Sequence, residues 1–149
     1  MKIVVQRCKN SSVTINNQLY NEINNGMCIL VGFTEDDNET IINKMIEKLL
    51  KLRIFDDETG IMNKSILDIK GEILAISQFT LYADPVKGNR PSYIKALNGT
   101  LAKPLYEYFI NELNKQIICK PGIFGADMLV SINNDGPVTI ILDSKEYNF

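Results

Sequence analysis

The stretch Gly26-Met27-Cys28-Ile29-Leu30-Val31-Gly32-Phe33 decides the fold class, because it is apolar at odd and even positions alike. A strand with one face in solvent alternates apolar and polar residues, whereas a strand covered on both faces is apolar throughout. The stretch therefore predicts a strand in the centre of a sheet. Residues 72–82 predict a second buried strand, because Ile73-Leu74-Ala75-Ile76 has the same character.

Further strands are predicted around these two from short runs rich in apolar and β-branched residues, separated by turn residues. They cover residues 2–7, 12–16, 18–23, 117–120, 128–133 and 138–143, with Asn16-Asn17 as a tight turn.

Two helices are predicted beside the strands. Residues 39–52 carry apolar side chains at helical spacing, and Asp36 and Glu39 are placed as a capping pair at the start. Pro104 predicts the first turn of a second helix that runs through Leu113. The strands outnumber the helices and do not alternate with them regularly. The prediction is therefore an α+β fold, with mixed sheets and helices packed on them.

The composition fits a single domain over residues 1–149 with one compact core, since 45% of the residues are hydrophobic. No apolar run approaches the ~18 residues of a membrane span. Arg7 interrupts the first apolar segment too early for a signal peptide. We therefore expect a soluble, cytoplasmic protein with no membrane partner. The scattered cysteines Cys8, Cys28 and Cys119 fit neither a disulfide framework nor a zinc site, and we expect them to be buried.

The chain contains no histidine, and this is the most restrictive feature of its composition. The absence excludes Ser-His-Asp and Cys-His catalysis and the commonest transition-metal sites. Asp127, Asp135 and Asp143 match no ligand spacing for a hard metal ion, so we expect neither a metal nor a cofactor. The net charge of −2 gives no global attraction for nucleic acid, which leaves only a local basic patch for that role.

Two polar segments in the middle of the chain are candidates for chemistry. Ser77-Gln78-Phe79-Thr80 puts two hydroxyls and an amide at the end of a predicted strand, although taken alone it is better explained as a solvent-facing strand end. Lys87 and Arg90 lie in a loop rich in glycine and proline. Such a loop suits phosphate binding, but simple solvation is the commoner outcome.

A third segment, Asn134-Asp135-Gly136-Pro137-Val138-Thr139, lies between two apolar runs. Asp-Gly predicts a hairpin turn, because both positions tolerate positive φ. Pro137 is unusual there, since proline cannot donate a ladder hydrogen bond, and a Gly-Pro bond can be trans or cis. We therefore expect this turn to do more than reverse the chain.

Together these segments resemble the bacterial and eukaryotic D-aminoacyl-tRNA deacylase family. The resemblance extends from the first strand to Ser144. It implies a barrel-like arrangement of mixed and antiparallel sheets with two main helices, and a homodimer with the active site at the subunit interface. The segments that carry it are Val4 to Arg7, Ser12 to Thr14, Leu52 to Phe55, Ser77 to Asp84, Lys87 to Ser92, Gly122 to Met128 and Asn134 to Thr139.

The resemblance implies that Ser77, Gln78, Phe79 and Thr80 form the catalytic pocket, where hydroxyls and backbone N–H groups hold the aminoacyl ester and stabilise the oxyanion. The reaction would be hydrolysis of the ester bond of D-aminoacyl-tRNA, and of glycine mischarged on the tRNA for alanine. Thr80 has been considered as a nucleophile in this family, but it would need a base, and the chain has no histidine. We therefore favour assistance by the 2′-hydroxyl of the terminal adenosine.

The resemblance assigns the remaining segments to substrate recognition. Gly136 and Pro137, joined by a cis bond, would reach into the pocket of the partner subunit and exclude L side chains. The 3′ acceptor end of the aminoacyl-tRNA would place its terminal adenosine against Phe124, Gly125 and Met128, and its phosphates near Lys87 and Arg90.

Two other interpretations of the sequence remain open. One is a nucleic-acid- or protein-binding module on the same fold that has lost hydrolysis, since fold does not determine function. The other is a proofreading domain like those attached to some threonyl-tRNA synthetases.

Overall fold

A computed structural model describes residues 1–149 of the protein. The elements follow the chain in the order β1 (Lys2–Ile15), β2 (Gln18–Ile23), β3 (Gly26–Gly32), α1 (Glu39–Leu50), β4 (Phe55–Asp56), β5 (Met62–Lys64), β6 (Glu72–Ser77), α2 (Gly99–Asn114), β7 (Cys119–Pro121) and β8 (Leu129–Asp143). Short 3₁₀ helices cover Phe79–Tyr82 and Ser144–Glu146.

The long strand β1 organises the main sheet. β8 runs antiparallel to it along nearly its whole length, and the other edge of β1 pairs with β3 in its first half and β2 in its second. Beyond β3, strands β6 and β7 follow in parallel. This arrangement brings β2 round to β7, where the Asn21 side-chain amide donates to the carbonyl of Pro121 over 2.7 Å. The six-stranded sheet is therefore barrel-like, and the α+β prediction is confirmed.

Both faces of β3 are covered, as its apolar sequence predicts. Met27 and Ile29 belong to the main core cluster, whereas Cys28 belongs to a smaller cluster on the other face. The two helices cover the main cluster and contribute buried side chains from one face each. These side chains are Ile42, Met45, Ile46, Leu49 and Leu50 of α1, and Ala102, Tyr106, Phe109, Ile110 and Leu113 of α2.

The residues predicted to begin or cap the two helices are not the ones that do so in the structure. Asn38, not Asp36, caps α1, and its side-chain oxygen accepts from the N–H of Ile41 over 3.1 Å. Helix α2 begins at Gly99 behind the cap Asn98, so Pro104 lies inside the helix and not in its first turn. Asparagine is among the strongest N-cap residues, and in both cases a nearby asparagine defines the helix start better than the acidic residue or proline did.

Two pairs of segments that were predicted as separate strands each form one continuous strand. β1 joins residues 2–7 to 12–16, and β8 joins the two runs on either side of Gly136-Pro137. The predicted hairpin turn at Asp135-Gly136 is wrong, because both halves of β8 pair with β1 in the same direction. The register steps from Cys8 opposite Asn134 to Gln6 opposite Thr139, so the extra residues of β8 form a bulge.

The cysteines are buried in the core, as predicted from the sequence. Cys8, Cys28 and Cys119 are free and buried. Burial raises the pKa of the Cys8 thiol to about 12. Neither α1 nor α2 combines the length and hydrophobicity that a membrane crossing needs.

Candidate active site

A cavity of about 660 Å³ opens where β3 and β6 end, between the start of α2 and residues 122–128. It joins two segments that are far apart in the sequence, and both were predicted as site residues. The cavity wall includes Ser77, Gln78 and Phe79 on one side and Phe124, Gly125 and Met128 on the other, together with Tyr93 and Asn98.

The site lies at this edge because β3 and β6 are parallel neighbours whose carboxyl ends coincide. Val31 pairs with Ser77, the last residue of β6. The next N–H, that of Gln78, donates to the carbonyl of Val31 over 2.7 Å, and the chain then turns into a 3₁₀ helix. The predicted strand over 72–82 is therefore too long, and its last residues form this turn.

Gly32 permits the close approach of the turn to β3. A Cβ atom at this position would lie 2.8 Å from the carbonyl oxygen of Gln78 and 3.2 Å from Cβ of Leu81. Both contacts are with atoms that cannot swing away. A residue larger than glycine would therefore push residues 78–82 away from the sheet.

Gln78 and Thr80 are joined by a hydrogen bond in which the Gln78 amide donates to the Thr80 hydroxyl oxygen. Thr80 does not line the cavity with its three predecessors. Because its oxygen already accepts from Gln78, its own proton is left to donate elsewhere. This arrangement orients the hydroxyl as a donor, which suits substrate positioning.

The opposite wall is held by the carbonyl of Ala75. It accepts from the Tyr106 hydroxyl over 2.8 Å and from the Gly122 N–H over 3.1 Å. The Tyr106 ring packs against Phe124 with 5.8 Å between ring centroids. Burial raises the pKa of the Tyr106 phenol, so it remains a neutral donor. Sequence reasoning missed Tyr106, because its helical spacing indicates only a core residue.

Gly136 and Pro137 lie outside this cavity, in the bulge of β8, and the peptide bond between them is cis. Asn134 braces the bulge: its side-chain oxygen accepts from the Val138 N–H over 3.0 Å, and its amide donates to Gln6 over 2.8 Å. Both Gly136 and Pro137 are exposed. The structure therefore does not bring these two residues to Ser77–Thr80 within one chain.

Arg7 anchors the bulge from beneath and was not predicted as a site residue. Its guanidinium donates to the carbonyl of Asp135 over 3.1 Å and to the carbonyl of Ile54 over 2.8 Å, and it also reaches the carboxylate of Asp56. Only 7% of Arg7 is exposed. The sequence contains a signal for this role. Ile3, Val5 and Arg7 occupy every second position of β1 and so share one face of the strand, which puts a charged residue on the buried face.

Lys87 and Arg90 lie away from the cavity wall, in an exposed loop. Two backbone hydrogen bonds between Asp84 and Ser92, of 2.8 and 2.9 Å, close this loop. Neither basic side chain forms an ion pair with an acidic residue, so both are free to meet an external anion.

The three carboxylates considered for a metal ion lie in three different environments. Asp127 lines the cavity, Asp135 pairs with Arg7 and Lys9, and Asp143 pairs with Lys2 over 3.6 Å. No group of three or more acidic or cysteine side chains forms a candidate metal site.

Comparison with known proteins gives the same relatives as the motifs. The sequence profile of the D-Tyr-tRNA(Tyr) deacylase family matches residues 4–143. A D-aminoacyl-tRNA deacylase of Clostridium tetani is 52% identical over 148 residues, which cover 98% of this chain and 99% of the relative. The chain belongs to the D-aminoacyl-tRNA deacylase family. Another member of the family, from Bacteroides thetaiotaomicron, is 54% identical over 147 residues, which cover 97% of this chain and 98% of the relative.

Two solved structures relate this D-aminoacyl-tRNA deacylase family member to known folds. One is described as a c-Myc DNA unwinding element binding protein, with a TM-score of 0.92, 41% identity, and coverage of 96% of this chain and 98% of the other. The second is described as a probable eukaryotic D-amino acid tRNA deacylase, with a TM-score of 0.82 and coverage of 95% and 97%. At 16% identity, the second shows a shared fold alone. The family resemblance drawn from the sequence is confirmed, and so is the expectation of an enzyme.

Proposed function

We propose that this chain hydrolyses the ester bond of D-aminoacyl-tRNA in the cavity between β6 and residues 122–128. The observation that carries the proposal is the convergence of Ser77-Gln78-Phe79 and Phe124-Gly125-Met128 on opposite sides of one cavity, in a member of the deacylase family. The apolar side made by Phe124 and Met128 suits a nucleoside. The polar side made by Ser77 and Gln78 suits an ester.

The ester carbonyl is held by donors at the start of the 3₁₀ turn. The first N–H groups of a helical turn have no partner within it, so those of Phe79 and Thr80 are suited to donate to a substrate oxygen. Donors placed where negative charge develops stabilise a tetrahedral intermediate more than the ground state. The Ser77 hydroxyl completes this polar end, and in this proposal the Thr80 hydroxyl donates to the bound substrate from just beyond the cavity wall.

The chemical step is attack by water on the ester carbonyl, assisted by the 2′-hydroxyl of the terminal adenosine. A C–O bond forms to water, the bond to the ribose 3′-oxygen breaks, and a water proton ends on that oxygen. The chain has no histidine to act as base, and Thr80 accepts a hydrogen bond from an amide. Both facts support a protein that positions and polarises the substrate.

Selection between D and L substrates is assigned to Gly136 and Pro137 of a partner subunit. In this proposal their backbone carbonyls lie beside the substrate α-carbon, where an L side chain collides and a D side chain fits. Their position outside the cavity of their own chain supports action in trans. The buried Arg7 anchor supports a rigid filter, because a filter made of backbone must keep its position.

A homodimer supplies this partner. β8 pairs only with β1, which leaves its other edge unpaired. Leu129 and Ile141, near the two ends of β8, are 68% and 66% exposed. An unpaired edge strand with exposed apolar side chains is suited to association with a second chain.

The substrate is the 3′ acceptor end of tRNA. Lys87 and Arg90, exposed and without acidic partners, are placed near its phosphates in this proposal. Glycine mischarged on the tRNA for alanine is included as a substrate, because a glycyl group has no side chain to exclude. Since aminoacyl-tRNA serves translation, we place the reaction in the cytoplasm.

The test compares matched D- and L-aminoacyl-tRNA under single-turnover conditions with purified protein. Selective release of the D-amino acid is expected, at a rate well above spontaneous hydrolysis. Equal rates for the D and L forms would contradict the chiral filter. No release of either would contradict the enzymatic function itself.

A second candidate is a nucleic-acid-binding protein without hydrolysis. It is favoured by one observation, since the 41% identical solved structure is described as a DNA unwinding element binding protein. The release assay, combined with a filter-binding measurement, separates the two functions. A binding module retains tRNA on the filter but releases no amino acid.

A further inference from the structure

Two exposed aromatic rings meet at the rim of the cavity. Phe79 is 57% exposed and Tyr93 is 42% exposed, although both line the cavity. Their ring centroids lie 5.1 Å apart, with the planes at 68° to one another. Large aromatic side chains are normally buried, so a pair left open to solvent at a cavity mouth points to a ligand.

Both rings are carried by backbone that is hydrogen-bonded to the end of β3 or to Phe33, the residue that follows it. Phe79 follows Gln78, whose N–H donates to the Val31 carbonyl over 2.7 Å. Tyr93 lies between two fixed points of the backbone. Before it, Ser92 is hydrogen-bonded to Asp84, and after it the N–H of Leu97 donates to the carbonyl of Phe33 over 2.9 Å. The rings are therefore presented at a defined place beside the ester-binding segment and do not belong to a freely moving loop.

The surroundings of the pair favour a nucleotide over an apolar peptide. The loop that precedes Tyr93 carries the free cations Lys87 and Arg90 outside the cavity wall, and the wall itself includes the polar side chains of Asn98 and Asp127. An aromatic face next to a basic loop is the usual combination for single-stranded nucleic acid, because bases stack on rings and phosphates meet cations.

We propose that the Phe79–Tyr93 pair is a stacking surface for the nucleobase that precedes the terminal adenosine of the acceptor end. This inference rests on the proposed function, which places that adenosine inside the cavity. The terminal base then lies against Phe124 and Met128, and the preceding base leaves through the mouth, where Tyr93 offers its exposed ring. The pair thereby recognises a tRNA end and not merely an aminoacylated nucleoside.

The test compares two substrates that differ only beyond the terminal nucleoside, D-tyrosyl-tRNA and 3′-O-D-tyrosyl-adenosine. For each variant, the kcat/KM for the tRNA is divided by the kcat/KM for the adenosine ester. Tyr93→Ala and Tyr93→Leu should each lower this ratio about 5- to 150-fold, the range expected for losing one base–aromatic stack. Tyr93→Phe keeps the ring and should keep the ratio.

Ile94→Ala is the matched control, because Ile94 is the next residue, is 88% exposed and lies outside the cavity wall. It should leave the ratio unchanged. An unchanged ratio in Tyr93→Ala, or equal losses on both substrates, would overturn the stacking surface. If the unmodified protein hydrolyses neither substrate, the deacylase function fails instead, so the two failures are distinguishable.

Discussion

Thr80 illustrates how one hydrogen bond narrows the chemistry of a site. The only hydrogen-bond partner of its hydroxyl is the Gln78 amide, which donates to it, whereas an activated nucleophile needs a base that accepts its proton. The residue types at 77–80 could be predicted from the sequence as a polar cluster. Their geometry could not, because the predicted strand through 82 would have pointed Ser77 and Gln78 to opposite faces and hidden the 3₁₀ turn.

Replacing Thr80 by valine keeps the side-chain shape and removes the hydroxyl. We expect single-turnover deacylation of D-aminoacyl-tRNA to slow about 100- to 1000-fold, as for loss of one positioned donor, while some activity remains. Thr14→Val, the same change on β1 outside the cavity, should have no effect. Complete loss of hydrolysis in both Thr80→Val and Thr80→Ala, with substrate still bound, would instead identify Thr80 as the nucleophile.

Gly136 is a second single residue whose replacement is expected to change both stability and selectivity. Its φ is +121°, and a Cβ there would lie 2.9 Å from Val138 Cγ2 and 3.1 Å from Arg7 Nη2. Gly136→Ala should lower the free energy of unfolding by about 1–2 kcal/mol, since the backbone conformation alone disfavours an L side chain. The ratio of D to L hydrolysis rates should fall at least tenfold if this tip is the filter.

Gly60→Ala is the control for Gly136→Ala, because Gly60 also has a positive φ, of +80°, but open space around it. It should show the backbone penalty in thermal unfolding and keep the D to L ratio. A Gly136→Ala protein with unchanged selectivity would remove Gly136 from the proposed filter.

At the scale of elements, the bulge in β8 is the main departure from the sequence-based prediction. Asp135-Gly136 carries the composition of a hairpin turn, and local composition cannot show that both flanking runs pair with the same strand. That information lies in the register between β1 and β8, which are far apart in the sequence. The two runs on either side of Gly136-Pro137 are therefore strands, as predicted, but they are joined by a bulge within β8 and not by a hairpin turn.

Arg7 is the link between these two elements, and Arg7→Lys tests it. Lysine keeps the charge but loses the planar fork that reaches Asp135 and Ile54 together. We expect the free energy of unfolding to fall by about 2–3 kcal/mol, as for a lost charge-assisted hydrogen bond in a buried site. The D to L ratio should fall as well, because the bulge loses its anchor.

Arg53→Lys provides the comparison, since Arg53 is exposed and donates to the carbonyl of Asn63 over 2.9 Å. Chemical denaturation of the two variants should differ clearly, with Arg53→Lys close to the parent protein. Equal stability and selectivity in both would mean that the bulge holds its shape without Arg7.

At the scale of the whole molecule, the absence of histidine shapes the pH dependence. Burial raises the pKa values of the Cys8, Cys28 and Cys119 thiols to about 12, 11 and 12, so none of them ionises near neutral pH. Burial lowers the pKa of the Met1 amino group, but this group is paired with Asp37 and is not part of the cavity wall.

We therefore expect no bell-shaped pH profile between about pH 6 and 8, the range in which histidine titrates. The ratio of enzymatic to spontaneous hydrolysis should stay nearly constant when single-turnover rates are measured across this range. A descending limb below pH 7 in that ratio would point to an ionisable protein group in the catalytic step.

The parallel pairing of β3 with β6 has a consequence for how the protein becomes active during folding. Gly26 pairs with Glu72 and Val31 with Ser77, so the chain between them, including all of α1, must be closed into a loop before the cavity exists. Contacts between distant segments form slowly, because the entropy of loop closure opposes them. A nascent chain or a refolding intermediate that has formed only the hairpin of β1 and β2 therefore lacks this cavity. If the proposed site is correct, deacylase activity reports on the long-range core and not on local structure.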